Sequence, residues 1–221
     1  MENFEEYLRP TYYIDSDKPA ISAQARELTK DVRAESERLG RIYHFVRDIP
    51  YDIVAAFRYM AQGEMQASHV LEHRVAMCMG KATLFAALCR AAQVPSRIGF
   101  QQLDAPDKVF FPPEMQRLWG ERKFPWHSLG EACIEGHWLK LDATIAKQAA
   151  QEQGRPYIRD FDGVHDIPSV EGKIVAQLDS YADYPRDVAE WYREMAIEVT
   201  AALGTQRERA LAADEALWTG P

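Results

Sequence analysis

Apolar residues recur at helical spacing over the first third of the chain. Six positions carry the pattern: Leu28, Val32, Leu39, Ile42, Phe45 and Val46. We predict one long helix that begins at Ser22, a common N-cap residue type, and ends near Asp48, because Pro50 disfavours helix at the residue before it. Residues 52–76 show a mixed, mostly helical pattern with a break near Gly63.

A second helix is predicted over residues 80–92, which are rich in alanine and leucine. The segment is apolar on nearly every side, and this pattern is typical of a helix buried at the centre of a domain. Pro95 ends the helix, and residues 96–103 then have the pattern of a strand. Residues 104–125 are rich in proline, so we predict a loop that runs over one face.

Two segments on either side of Glu135-Gly136 indicate a β-hairpin, with strands over residues 126–134 and 137–144. Helices precede these strands, and further helices follow them. This order predicts an α+β fold with an antiparallel sheet.

We divide the chain into a core over residues 1–150, whose residues 1–21 form an extended arm, and a C-terminal extension over residues 151–221. The extension is predicted to be helical and to pack on the same domain. Residues 150–184 have the pattern of a loop. Two helices are predicted after it, near 186–203 and 205–217.

The composition is that of an ordinary globular protein of 221 residues, 47% hydrophobic and 27% charged. The formal net charge of −8 argues against nucleic acid as a partner, since an acidic protein repels a polyanion. No stretch approaches the roughly 18 apolar residues of a spanning helix, and the acidic amino terminus is unlike a secretory signal. We therefore expect a cytoplasmic protein with no membrane partner, and the sequence leaves its oligomeric state open.

Cys78 stands directly before the apolar helix and is the candidate nucleophile. A thiol at a helix N-terminus feels the positive end of the helix dipole, which favours the thiolate. Most cysteines are instead small buried core residues, and we expect this of Cys89 and Cys133. Three cysteines do not form a disulfide framework, which fits a reducing compartment.

A thiol nucleophile needs a base within hydrogen-bond reach and a group that orients the base. If Glu135-Gly136 forms a two-residue turn, His127 and Asp142 share one face of the hairpin as diagonal neighbours, about 7–8 Å apart at the backbone. Their side chains can then meet, and the second imidazole nitrogen stays free to take a proton from the thiol. A three-residue turn would place the two side chains on opposite faces.

Three segments resemble the transglutaminase-like superfamily, in order, over about residues 20–145. CMGKATLFAALCRAAQVPSR (78–97) is similar to the helix that carries the family's nucleophilic cysteine. HSLGEA (127–132) is similar to its histidine strand, and GHWLKLDAT (136–144) is similar to its Gly-x-Trp-x-x-x-Asp-x-Thr strand.

The resemblance implies a papain-like fold in which the cysteine helix packs on an antiparallel sheet. It implies Cys78 as the nucleophile, His127 as base and acid, and Asp142 as the group that orients His127. The expected reaction is hydrolysis of an amide or peptide bond through a thioester, and amide formation with an amine is the alternative. The substrate would be a peptide, a protein or a small acyl compound, and no cofactor or metal is needed.

Two residues depart from the family pattern, since Ala76 and Gln93 stand where glycine is usual. A left-handed conformation at Gln93 would be strained. The oxyanion also needs donors, and the backbone N–H of Cys78 is one of them. The second donor is left open among four candidates: Gln62, Gln66, Trp126 or a tyrosine.

Two readings from other classes compete with the thiol enzyme. His69, Glu72 and His73 fit the H-x-x-E-H pattern of zinc peptidases, in which both histidines share a helix face and the glutamate acts as base. A lone pattern of five residues arises readily by chance, and a solvated helix face is the simpler interpretation. The chain could also be a catalytically silent binding module, because a fold does not imply an activity.

Overall fold

The computed structural model describes residues 4–104, 110–119, 124–156 and 160–218, without the side chains at 114, 119, 124 and 205–218. The predicted α+β class is confirmed. The helices are α1 Pro19–Thr29, α2 Glu35–Arg47, α3 Ile53–Ala61, α4 Ala67–His73, α5 Cys78–Ala91, α6 Pro113–Trp119, α7 Lys147–Glu152 and α8 Arg186–Trp218. The strands are β1 Ser96–Asp104, β2 Phe124–Ile134, β3 His137–Leu141 and β4 Lys173–Tyr181.

The four strands form an antiparallel sheet in the order β3-β2-β1-β4. The predicted hairpin is confirmed, because β2 and β3 pair in the register Ile134↔His137. Glu135 and Gly136 both have positive φ, at 51° and 81°, as a two-residue hairpin turn of the primed kind requires. This turn fixes which residues of the two strands share a face.

The central helix α5 lies against the sheet, as predicted. Residues 78 and 79 and residues 81–90 are all buried. The ring of Phe85 rests directly on Gly130 of β2, where an added Cβ would lie 2.1 Å from a ring carbon. Only glycine permits this close approach, so the contact holds the cysteine helix against the strand that carries His127.

The amino-terminal arm is tied to the core through the side chain of Asp15 and the backbone of Arg9. Asp15 accepts a hydrogen bond from the backbone N–H of Ser68 at 3.0 Å, at the start of α4. The guanidinium of Arg90, buried near the end of α5, donates to the carbonyl of Arg9 at 2.6 Å and to that of Ala182 at 2.5 Å. Arg90 therefore joins the arm and the segment before α8 to the central helix.

The predicted single helix over 22–48 is wrong, because the chain forms α1 and α2, separated by residues 30–34. Asp31 there has a φ of 62°, a left-handed conformation that aspartate tolerates and that a continuous helix excludes. The apolar spacing continues across the break, so periodicity alone hides it. The first helix begins at Pro19, three residues before the predicted start at Ser22, because proline is favoured at the first position of a helix.

Two predicted loops contain regular structure. Part of 104–125 forms α6, which begins at Pro113, and the start of β2, while 105–109 and 120–123 lie outside the described residues. Part of 150–184 forms β4, which pairs with β1 at the sheet edge. The side chains of β4 are exposed or half-buried throughout, so this edge strand lacks the apolar alternation that a half-buried strand shows.

The two predicted C-terminal helices are one continuous helix, α8. Gly204 lies at the expected break, but a single glycine costs only about 1 kcal/mol in a helix interior. The division of the chain near residue 150 stays a prediction. In the part of the chain that the structure describes, no helix is both long and apolar enough to cross a membrane.

Candidate active site

Cys78 begins α5 and is 5% exposed. The chain reaches it in an extended conformation, and Ala76 forms a bridge with Tyr51 in which its N–H donates to the carbonyl of Pro50 at 3.3 Å. Alanine is therefore accommodated where the family pattern has glycine. Gln93 closes the other end of α5 in the left-handed conformation expected there, with a φ of 62°.

His127 and Asp142 meet as the hairpin register predicts. Nε2 of His127 lies 2.6 Å from Oδ2 of Asp142, and both side chains are buried. The other oxygen of Asp142 accepts a hydrogen bond from the backbone N–H of Thr144 at 2.9 Å. The carboxylate is therefore held at both oxygens, and the imidazole ring cannot turn without breaking its bond to Asp142.

Asp142 occupies Nε2 of His127, which leaves Nδ1 as the ring nitrogen for a contact with the cysteine. The side chains of Cys78 and His127 are within hydrogen-bond range of each other. The three residues selected from the sequence therefore lie together, in the order sulfur, imidazole, carboxylate. This is the arrangement in which an imidazole can take a proton from a thiol and later return it.

Glu171 is a fourth member of the site that sequence reasoning missed. Its Oε2 lies 2.9 Å from Nδ1 of His127, and the side chain is 7% exposed. It belongs to the segment before β4, in which no motif or periodicity marks Glu171 for a role. Only the path of the chain brings it to the imidazole.

The pKa of His127 is governed by burial and by two carboxylates. Burial favours the neutral ring, but the charge of Asp142 and hydrogen bonds to Asp142, Cys78 and Glu171 outweigh it and hold the pKa well above its ordinary value. Burial likewise works against the charged form of Asp142, but the imidazolium and the hydrogen bonds from His127 and Thr144 hold its pKa below the ordinary value. The pair is therefore ionised at neutral pH.

Three tyrosines, Tyr51, Tyr184 and Tyr192, lie near the sulfur. The hydroxyl of Tyr192, on α8, is within hydrogen-bond range of Cys78, donates to the carbonyl of Trp126 and lies 3.3 Å from Oγ of Ser128. Burial, followed by the neighbouring Cys78, raises the pKa of Tyr192 well above its ordinary value, so the phenol stays protonated. The hydroxyl of Tyr51 hydrogen-bonds the carboxylate of Glu171.

Among the four candidates for a second oxyanion donor, a tyrosine is the one beside the sulfur. The side-chain oxygen of Gln66 accepts from the N–H of Met65 at 3.2 Å and lies 3.0 Å from Nδ1 of His69, so its amide group is held at the start of α4. Tyr192 reaches Cys78 because α8 returns over the sheet. The sequence contains no local signal for this contact.

An open depression of about 440 Å³ adjoins Tyr51, and we call it the Tyr51 cleft. Its walls are mainly apolar and aromatic, with amide and carboxylate side chains at one end. The lining residues include Pro50, Tyr51, Phe110, Phe111, Ala149 and Glu152. Tyr51, which lines this cleft, also hydrogen-bonds Glu171.

Lys81 lies one turn below Cys78 and is 1% exposed. Its Nζ donates to the carbonyl of Arg47 at 2.8 Å. Burial lowers the pKa of Lys81 to about 7, against the opposing charges of Asp142, Asp48 and Glu171. An ammonium under the site therefore titrates near neutral pH.

Replacing Lys81 with methionine is expected to remove one pH dependence of stability. The unfolded chain keeps the lysine proton up to about pH 10.4, whereas the folded chain releases it near pH 7, so this group stabilises the fold increasingly as pH rises between these values. The difference in unfolding free energy, wild type minus Lys81→Met, should grow by about 2 kcal/mol from pH 7 to 9. Urea denaturation at both pH values measures it.

The comparison with Lys81→Met isolates the lysine, because His127 contributes with the opposite sign to both proteins. The raised pKa of His127 gives stability that is complete below its unfolded pKa and is lost as pH rises through the folded value. A difference in unfolding free energy that stays constant from pH 7 to 9 would contradict a lysine titrating in the core.

The H-x-x-E-H residues do not form a comparable centre. Nε2 of His73 lies 2.6 Å from Glu64, and its ring stacks on Tyr59. The rings of His69 and His73 are 6.4 Å apart, and Glu72 is exposed. Among the described residues, no group of three or more His, Cys, Asp or Glu side chains has an arrangement that could hold a metal ion.

The other two cysteines lie apart from this chemistry. Cys89 is 0% exposed in the core near the far end of α5, and burial raises its pKa. Cys133 is buried on β2. Both positions confirm the expectation that these cysteines are buried.

A solved structure and a family profile are each similar to this chain. A solved structure from Cytophaga hutchinsonii, provisionally assigned as a cysteine protease, is 21% identical, with a TM-score of 0.48 over 64% of this chain and 42% of that one. The chain thus spans less than half of that protein's length. The comparison with curated proteins found no match. The profile of the transglutaminase-like superfamily matches residues 22–143, more than half of the 221 residues. The α+β, papain-like chain therefore belongs to the transglutaminase-like superfamily.

Proposed function

We propose that the chain is a cysteine-dependent hydrolase of amide or peptide bonds, with Cys78, His127 and Asp142 as its catalytic triad. The observation that carries the proposal is the continuous chain of contacts from the sulfur through the imidazole to a carboxylate held at 2.6 Å. The position of Cys78 at the start of a buried helix supports it further, because the helix dipole favours a thiolate there.

In the first half of the proposed reaction, the thiolate of Cys78 attacks the substrate carbonyl carbon and forms a tetrahedral oxyanion. The oxyanion accepts a hydrogen bond from the backbone N–H of Cys78, and we assign the second donor to the hydroxyl of Tyr192, whose single proton must turn from the carbonyl of Trp126 to the oxyanion. The C–N bond breaks, the leaving amine takes a proton from the imidazolium of His127, and the acyl group stays on sulfur as a thioester.

In the second half, His127 takes a proton from water, which attacks the thioester carbonyl. The carbon–sulfur bond breaks, the carboxylic acid leaves, and the thiolate and imidazolium are restored. Asp142 keeps the ring oriented through both halves. An amine that enters in place of water would give an amide, and the same residues would serve that reaction.

Intact-mass spectrometry with a panel of activated acyl esters and peptide thioesters tests the proposal. We expect one acyl adduct per chain on Cys78, located by peptide mapping, and its decay in buffer. Cys89 and Cys133 serve as internal controls, since both are buried away from the site. Adducts on those cysteines instead, or none at all, would contradict a thiol enzyme and favour a binding module.

Adding a primary amine to the same reaction separates the two acyl acceptors. A hydrolase should give the free acid whether or not the amine is present, whereas amide product in proportion to the amine would show acyl transfer. A chelator should change neither result. Loss of turnover with a chelator would favour the H-x-x-E-H alternative instead.

A further inference from the structure

Both ring nitrogens of His127 face a carboxylate. Asp142 lies 2.6 Å from Nε2, and Glu171 lies 2.9 Å from Nδ1. Because Asp142 occupies Nε2, we infer that Nδ1 is also the nitrogen that serves the hydrogen bond between His127 and Cys78. The triad proposed above needs one carboxylate only, so the second one calls for a physical explanation.

The position of Glu171 is built into the fold. Upstream, Ile167 pairs with the end of β3, where its N–H donates to Lys140 at 2.8 Å and its carbonyl accepts from Asp142 at 3.0 Å. Closer to the site, the backbone N–H of Glu171 donates to Oγ of Ser169 at 3.3 Å. The hydroxyl of Tyr51 holds the carboxylate from the other side. The same backbone pairing therefore places both Asp142 and Glu171.

Glu171 and Cys78 compete for one proton. Nδ1 of an imidazole carries a single hydrogen, and both a carboxylate and a thiolate accept it. A carboxylate in this position also repels a thiolate beside it, since like charges within a few ångströms disfavour the charged form of each other. The strength of the Cys78–His127 pair thus depends on Glu171.

We propose that Glu171 is a positioning residue, which acts on the reaction through His127, shares the Nδ1 proton with Cys78, and sets the pH range in which the thiolate and imidazolium coexist. The proposal rests on the function proposed above, because it concerns the reactive form of that thiol. It also assigns a role to the segment between Ile167 and β4, which lies beyond the residues that match the family profile.

The other charged and titratable groups around the imidazole stay the same when Glu171 is changed. They come from the helices, the hairpin and the loop that pack around it. These groups are Cys78 and Lys81 of α5, Asp142 after β3, Tyr51 before α3, Tyr184 before α8 and Tyr192 of α8. A neutral residue at 171 therefore removes one negative charge from the site and leaves the remaining set intact.

Removing that charge should shift the whole pH profile toward acid. The thiolate of Cys78 loses a repelling neighbour and gains a larger share of the Nδ1 proton, so it forms at lower pH. The imidazolium loses one of its two carboxylates, so it also deprotonates at lower pH. The acid limb and the alkaline limb of the pH profile therefore both move to lower pH. A purely structural defect would not produce this joint shift.

The experiment measures the rate of Cys78 alkylation by iodoacetamide from pH 4 to 10 in the full chain. With Glu171→Gln, which keeps the size of the side chain, we expect the acid limb at lower pH and a rate at pH 6 about five- to tenfold higher than wild type. Glu171→Asp, which keeps the charge, should restore most of the wild-type profile. Glu27→Gln is the matched control, because it removes an exposed carboxylate of α1 and should leave the profile unchanged.

An unchanged profile for Glu171→Gln, or a shift of its limbs to higher pH, would overturn the proposal. Failure of the proposed function looks different. In that case, Cys78 of the wild-type protein would react with iodoacetamide no faster than an ordinary thiol at every pH.

A second measurement does not depend on the folding of the Glu171 variants. In Cys78→Ala, the proton NMR spectrum should show two strongly downfield N–H resonances from the His127 ring, since each nitrogen still bonds a carboxylate. A single resonance from Nε2 would show that Glu171 does not hold Nδ1 and would also overturn the proposal.

Discussion

Replacing Cys78 with alanine should lower turnover by a factor on the order of 10⁵–10⁶ and abolish the acyl adduct, while the protein stays folded. Losses of this size follow when the nucleophile of a catalytic triad is removed, because the covalent route disappears and only binding and the oxyanion donors remain. The fold should tolerate the change, since one small side chain is shortened at the edge of the core. Circular dichroism and urea denaturation check the folding, and substrate hydrolysis with intact-mass analysis checks the chemistry.

Cys89→Ala is the matched control for this prediction. It removes a sulfur from the same helix, and its site is fully buried, so some stability is lost while the adduct on Cys78 and the turnover remain. A Cys78→Ala variant with wild-type activity would show that the sulfur at the start of α5 is not the nucleophile.

Replacing Asp142 with asparagine should lower kcat/KM by up to about 10⁴-fold. The loss of the carboxylate has two consequences. The amide can present an N–H to Nε2 and so favour the wrong tautomer of His127. The pKa of His127 also falls, because the charge of Asp142 is the largest of the interactions that raise this pKa. The alkaline limb of the pH–rate profile should therefore move to lower pH.

Steady-state kinetics across pH measure both effects, with Asp17→Asn as the control, because Asp17 is an exposed carboxylate in the amino-terminal arm. A value of kcat/KM within twofold of wild type in Asp142→Asn would rule out an orienting role for the carboxylate. Its 2.6 Å contact with His127 would then be structural alone.

Local pattern determined the parts of this protein that its chemistry uses most. The apolar residues of α5 predict a buried helix, and Cys78 stands at its first residue. The two residues Glu135 and Gly136 predict a tight turn, and with the turn comes the shared face of His127 and Asp142. These features are readable because helix periodicity and strand alternation act between residues a few positions apart.

Tertiary structure alone decided the surroundings of that core. β4 pairs mainly through its backbone at the edge of the sheet, and backbone hydrogen bonds leave no side-chain signature in the sequence. The helix breaks at Asp31 between α1 and α2, although the helical spacing of apolar residues continues across this position. Glu171, Lys81 and Tyr192 are ordinary residues of a loop and two helices until the chain folds back over the sheet. Long-range contacts of this kind depend on the path of the whole chain, so they set the protonation of the site without appearing in any local segment.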